Sequence, residues 1–211
     1  MWISGRFGYG PSMQEILPGI WHWTATHPNT GSEVSSYWVR PARAVIDALL
    51  PEEGIEAFAE EPPERFLLSN RHHLRHAERF VERFGCAIEC SKPGLHEFEG
   101  GPEVEGFDFG DEVAPGIQAM EVGAICPDES ALLIRDPGAL AIADGIRHYD
   151  GRMDFFADWL LGDDPEGVKT GLRRSYRRLL DLDFDSLLFA HGDPIVGGGK
   201  EALRRFANLG P

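Results

Sequence analysis

The 211 residues carry 20 Lys and Arg against 35 Asp and Glu, a formal net charge of −15. That balance repels nucleic-acid backbones and anionic membrane surfaces, so neither is expected as the main partner. Hydrophobic residues make up 42% and charged residues 26%, as in a globular domain with one core of ordinary size. The chain lacks the roughly 18-residue apolar run that a membrane span needs. "MWISGRFGYGPSMQ" shows no charged-then-apolar leader, and a cytoplasmic protein is expected. The odd set Cys86, Cys90 and Cys126 is read as free, buried thiols.

In chain order, residues 1–14 are rich in Gly and aromatics without a period. They are read as a loose arm whose aromatic residues could mediate homo-oligomer contacts, ahead of a single domain over 15–211. "ILPGIWHWTA" and "SSYWVRP" read as strands joined by a polar link, and "ARAVIDALLP" brings a third. "EGIEAFAEE" reads as a short helix and "PERFLLSN" as a buried strand ending in polar residues. Leu74, Ala77, Phe80, Val81 and Phe84 then recur at helical spacing. Arg75, Glu78, Arg79, Glu82 and Arg83 fill the other face, with Arg75–Glu78 and Arg79–Glu82 as expected i,i+3 pairs. Gly85 ends that helix, and "CAIEC" follows as a strand.

From about Gly94 to Ile146 the chain reads as short strands separated by Gly, Pro and Asp turns. "DPEGVKTGLRRSYRRLLDL" is a helix with Asp164 as N-cap and Pro165 at its first position. "FDSLLFAHG" is a strand, and "GGGKEALRRFAN" a last helix. Strands dominate the first two thirds, and each half closes in helices. That order suits an α/β sandwich of two mixed sheets with helices outside.

Three buried strands end in polar clusters: "FLLSNRHH", "ALAIADGI" and "LLFAHGDP". Strand ends in such folds converge on one edge, where ligands bind. His72, Asp144 and His191, one from each cluster, are nitrogen and oxygen donors suited to zinc, manganese or iron.

This succession resembles the metallo-β-lactamase fold superfamily. The hairpin "GIWHWTA…SSYWV", the strand ending at Asp47, the stretch "SNRHHLR" in place of T-H-x-H-x-D-H, the strand "ALAIADG" and the final "LLFAHGDPI" carry the resemblance, over residues 16 to 207. It implies a four-layer αββα sandwich and a metal-dependent hydrolase. With Ser69 on the motif's Thr, Asn70 stands in place of the first His, Leu74 of the Asp and Arg75 of the third His, while His72 matches the second His. Asp144 matches the bridging carboxylate and His191 the last His. The loop "CPDES" lacks the remaining His; its Asp128 and Glu129 are expected in a solvated turn, with a ligand role as the alternative.

A second register, one residue on, makes His73 and His76 ligands, with Arg71 and Arg75 in other motif positions. It is disfavoured here because it pushes Ser69-Asn70 back into the strand. The expectation is thus a mononuclear site for one divalent ion, zinc first, held by His72, Asp144 and His191, with His73 and His76 as further candidates. Asp144 and His72 would carry the chemistry, and Asn70, Arg71 and Arg75 would contact a small-molecule substrate. The attack would be on an ester, amide, thioester or phosphodiester. The alternative is a metal-free, inactive member that binds a small molecule.

Overall fold

The structure, a computed structural model, describes residues 13–208. The expected arm over 1–14 therefore lies almost wholly outside the described residues, and Gln14 opens the first strand. One sheet holds Gln14–Leu17 (β1), Ile20–Thr26 (β2), Glu33–Val39 (β3), Ala44–Ile46 (β4), Arg65–Leu67 (β5), Ala87–Ser91 (β6) and Glu105–Phe107 (β7), side by side in that order. Its first four strands pair antiparallel and its last four parallel. Helix Ala77–Phe84 (α1) makes the crossover from β5 to β6.

The second sheet begins with Glu112–Ala114 (β8), Ile117–Glu121 (β9), Ser130–Ile134 (β10) and Ala139–Ile142 (β11). A hairpin of Arg147–Tyr149 (β12) and Arg152–Asp154 (β13) and helix Pro165–Leu179 (α2) intervene. Ser186–Phe189 (β14) then joins β11 in parallel at the sheet's edge, and helix Gly199–Asn208 (α3) ends the described chain.

The strands bury both faces, as their near-continuous apolar sequences require. Along β4 and β5, Ala44, Ile46 and Leu67 face the other sheet, meeting Ile117, Leu132, Ala141 and Leu188. The alternate residues Val45, Phe66 and Leu68 face α1. There Phe80 of α1 sits edge-on to Phe58 and Phe66, with centroids 5.1 and 5.4 Å away. On the far side Leu140, Ile142, Leu187 and Phe189 pack against Leu172 and Tyr176 of α2 and Leu203 and Phe206 of α3. The layers are α, β, β, α, as expected. Asp164 caps α2 by accepting from the Gly167 amide at 2.9 Å. Cys86, Cys90 and Cys126 are buried free thiols.

Three local expectations change. "EGIEAFAEE" makes only the 3-10 turn Ile55–Phe58. The helical stripe starts later, because Arg75 takes a left-handed conformation (φ 44°) that no α-helix accommodates. Val81, placed on the buried stripe, is 38% exposed. The hairpin β12–β13 was not foreseen, although its turn Asp150-Gly151 is the dipeptide that favours two successive positive φ values, here 51° and 72°.

Hydrogen bonds stitch the sheets together where β3, β5, β10 and β14 approach. The Tyr37 hydroxyl donates to the Phe189 carbonyl at 2.8 Å and accepts from the Phe189 amide at 3.0 Å. The Ser35 amide donates to the Ala190 carbonyl and the Ser130 amide to the Ser69 carbonyl. β3 is thereby held against the end of β14, and the residues after β5 against the start of β10.

Candidate metal centre

At this seam three ligand atoms, one each from His73, Asp144 and His191, lie within 4.8 Å of one another. His73 Nε2 and His191 Nε2 each stand 3.1 Å from Asp144 Oδ1. Asp144 follows β11, His191 follows β14, and His73 ends the 3-10 turn Arg71–His73 after β5.

The backbone of Asn70 explains why the group contains His73 where the sequence favoured His72. Asn70 is still extended (φ −156°, ψ 168°) and caps the turn, its Oδ1 accepting from the His72 amide at 2.9 Å. The strand itself ends at Leu67 and Ser69-Asn70 form a bend, but the extended Asn70 delays the turn by one residue, as in the second register. In a 3-10 turn, residues three apart share a face. Asn70 and His73 therefore point the same way, and Asn70 Nδ2 donates to Asp144 Oδ2 at 2.8 Å. His72 falls on the other side and is exposed. His76 is outside the group as well; its Nδ1 accepts from the Leu50 amide at 2.9 Å.

Behind His73 stands Asp47, at the end of β4 in a left-handed conformation (φ 49°). Its Oδ2 is 3.0 Å from His73 Nδ1, and its Oδ1 accepts from the Ser69 amide at 2.8 Å. The Ser69 hydroxyl donates to Asp47 and lies 2.9 Å from His73 Nδ1. A carboxylate on the far nitrogen of a histidine fixes its tautomer and turns Nε2 outward as a donor atom, the usual arrangement behind a metal-bound imidazole.

The electrostatics follow from crowding. Burial alone would raise the Asp144 pKa, but the adjacent His73 charge and hydrogen bonds from both histidines hold it well below the usual carboxylate range. Burial would lower His73, yet Asp144 and Asp47 push it up to about 9. His191 is shifted down, by burial against the opposing pull of Asp144.

Neither arginine of the motif pairs with a carboxylate of the group. Arg71 turns away into an ion pair with the fully buried Asp128, whose Oδ2 also accepts the Arg71 amide at 2.7 Å. Arg75 was expected on the polar face of the helix, paired with Glu78. Instead it turns inward, where Nη1 donates to the carbonyls of Ser35, at 2.7 Å, and of Asp47. Its charge acts on His73, His191 and Asp144. Asp128 and Glu129, expected in a solvated turn, are both inaccessible to solvent. Burial and the nearby Asp144 raise Glu129 to about 8, and its Oε1 has no hydrogen-bond partner among the described residues. Nothing in "CPDES" announces this burial, since it has the composition of an exposed turn.

Three further histidines serve other ends. His148 Nδ1 lies 2.7 Å from the Asp193 carbonyl, His22 stacks on Tyr37 with centroids 5.0 Å apart, and His96 is on the surface. Two glycines are required by close approach. A Cβ on Gly192 (φ 105°) would lie 1.8 Å from the His148 carbonyl oxygen, and one on Gly145 1.8 Å from the Tyr176 hydroxyl.

The donor set suits a divalent ion: two imidazole nitrogens and a carboxylate oxygen, converging from separate strands and oriented from behind. No protein-family model and no curated protein matches this sequence. Solved structures do resemble it. A metallo-β-lactamase from Erythrobacter litoralis superposes with a TM-score of 0.68 at 16% identity, covering 97% of each chain. The DIM-1 metallo-β-lactamase gives 0.68 at 12% identity over 94% of this chain and 98% of that one. TTHA1623, solved in a di-iron-bound form, gives 0.57 at 18% identity over 91% and 96%. The strand order, the four layers and these likenesses together establish that the chain has the metallo-β-lactamase fold.

Proposed function

We propose that the protein is a metal-dependent hydrolase with a mononuclear site formed by His73, Asp144 and His191, acting on an ester, amide, thioester or phosphodiester. The observation that carries this reading is the convergence of three donor atoms within 4.8 Å, taken with Asp47 placed on the far nitrogen of His73. A divalent ion held there supplies Lewis acidity and makes water a nucleophile at neutral pH. The chain's own residues do the positioning. Asp47 and Ser69 keep the proton on His73 Nδ1, and Asn70 holds Asp144 through Oδ2, leaving Oδ1 turned to the histidines. The Phe156 ring stands edge-on to His191, with centroids 5.1 Å apart, and keeps water from one side of it.

Arg75 supports one ion as against two. Its half-buried guanidinium is a fixed cation held on backbone carbonyls, and its charge already acts on Asp47 and Asp144. TTHA1623, of the same fold in a di-iron-bound form, is the reason to try iron beside zinc.

A second reading has its own observation. Each ring nitrogen of His73 lies within hydrogen-bond distance of a carboxylate, Asp47 or Asp144, so an imidazolium satisfies the cluster with no ion present. On that reading the protein binds a small molecule without hydrolysing it. The test is hydrolysis of a panel of ester, thioester, amide and phosphodiester probes by protein loaded with zinc, manganese or iron. The hydrolase reading expects turnover of at least one class, with a loss of at least about 100-fold in His73→Ala and Asp144→Asn. Equal rates in the variants, or no turnover with any ion, would favour the binding protein.

A further inference from the structure

The Phe156 ring that stands against His191 also lines a cleft of about 480 Å³ between the β12–β13 hairpin and α2. Arg147 lines it from the hairpin, and Lys169 and Arg173 line it from α2. The cleft joins the cluster by the backbone too, because the His148 amide, next to Arg147, donates to the His191 carbonyl at 3.0 Å.

The carboxylates around the cleft are already engaged. Asp158 and Glu166 both pair with Lys169 at 2.7 Å, and Asp154 pairs with Arg152 at 3.3 Å. Arg147 and Arg173 have no ion-pair partner among the described residues. The Arg173 guanidinium lies over the Phe155 ring, 4.9 Å from its centroid, and its Nε is shut off from solvent with no hydrogen-bond partner. A planar guanidinium so held is set to grip a carboxylate or phosphate-type oxyanion. In a chain of net charge −15, the lining of this cleft balances its three carboxylates with three cations, two of which are left uncommitted.

We propose that this cleft receives the substrate and that Arg147 and Arg173 bind an anionic group on it, a carboxylate or a phosphate-type oxyanion. An apolar portion next to that group lies on Phe155 and Phe156, which brings the bond to be cleaved to the His191 side of the cluster. Naming the occupant a substrate rests on the hydrolase reading; the anion site itself does not.

The experiment is calorimetric titration of the full chain with phenylphosphonate and with phenylacetate, neither of which is hydrolysable, with metal content measured in every sample. Wild type, Arg147→Gln, Arg173→Gln, Arg173→Lys and His73→Ala are compared, the arginine variants checked for an unchanged melting temperature and His73→Ala for a cooperative unfolding transition. The expected result is that at least one anion binds wild type, that each Gln variant weakens it by about tenfold or more, and that Arg173→Lys recovers part of the loss. The tighter anion identifies the group. Binding persists in His73→Ala and in samples with little metal, so failure of the hydrolase reading leaves this result standing. Absence of binding to wild type, equal binding by the Gln variants, or loss in His73→Ala alone would overturn the proposal.

Discussion

At the scale of single residues, one peptide unit decides which histidine enters the cluster. Asn70 remains extended, the turn starts at Arg71, and His73 instead of His72 reaches Asp144. In the sequence the two were adjacent candidates, because neither composition nor spacing fixes where a strand yields to a turn. Asp144 and His191 were legible, each a lone polar residue after an apolar strand. Asp47 was visible only as a strand end, and its place behind His73 depends on β4 and β5 lying in parallel register. Arg75 was misplaced for a physical reason: a helical wheel assumes helical φ throughout, and Arg75 departs from it. We expect His73→Ala to abolish metal uptake and His72→Ala to leave it unchanged, measured by equilibrium dialysis against zinc. Asp47→Asn, which keeps the size but removes the charge behind His73, should weaken zinc by about 10–100-fold in the same assay.

At the scale of elements, the long apolar strands and α2 were legible because periodicity and caps report them directly. Pro165 and Asp164 announced the start of α2, and Asp164→Ala should cost about 1 kcal/mol in urea unfolding. Short pieces such as the turn Ile55–Phe58 were not, since four residues cannot display a period. Gly192 shows how an element's end is built for its neighbour. It follows His191 at φ 105°, where a β-carbon would collide with the His148 carbonyl. Gly192→Ala should therefore cost about 1–3 kcal/mol through strain and overpacking. It should also disturb His191, so a loss of metal affinity alongside the loss of stability is expected; a variant with native unfolding and native affinity would contradict this account of the turn.

At the scale of the whole molecule, the two sheets enclose an apolar core and meet at a polar seam, and the cluster lies on that seam. His73 belongs to the first sheet's connections, and Asp144 and His191 to the second's. An ion held by all three would bind only the folded arrangement. Zinc at about 100 times its dissociation constant should then add about 2.7 kcal/mol, or about 5–11 °C in melting temperature for a domain of this size. The layering was readable from element order, and the seam was not, because contacts such as Tyr37 with Phe189 join residues far apart in the chain. Among the described residues no helix is long and apolar enough to cross a membrane. The convergence of His73, Asp144 and His191 predicts that they hold one divalent ion. The most direct test is the metal content of the full-length protein, as purified and after dialysis against zinc or manganese, beside His191→Ala. About one equivalent is expected in the wild type, with loss of that equivalent in the variant. Less than about one-tenth equivalent with no uptake, or an equivalent that persists in His191→Ala, would contradict it.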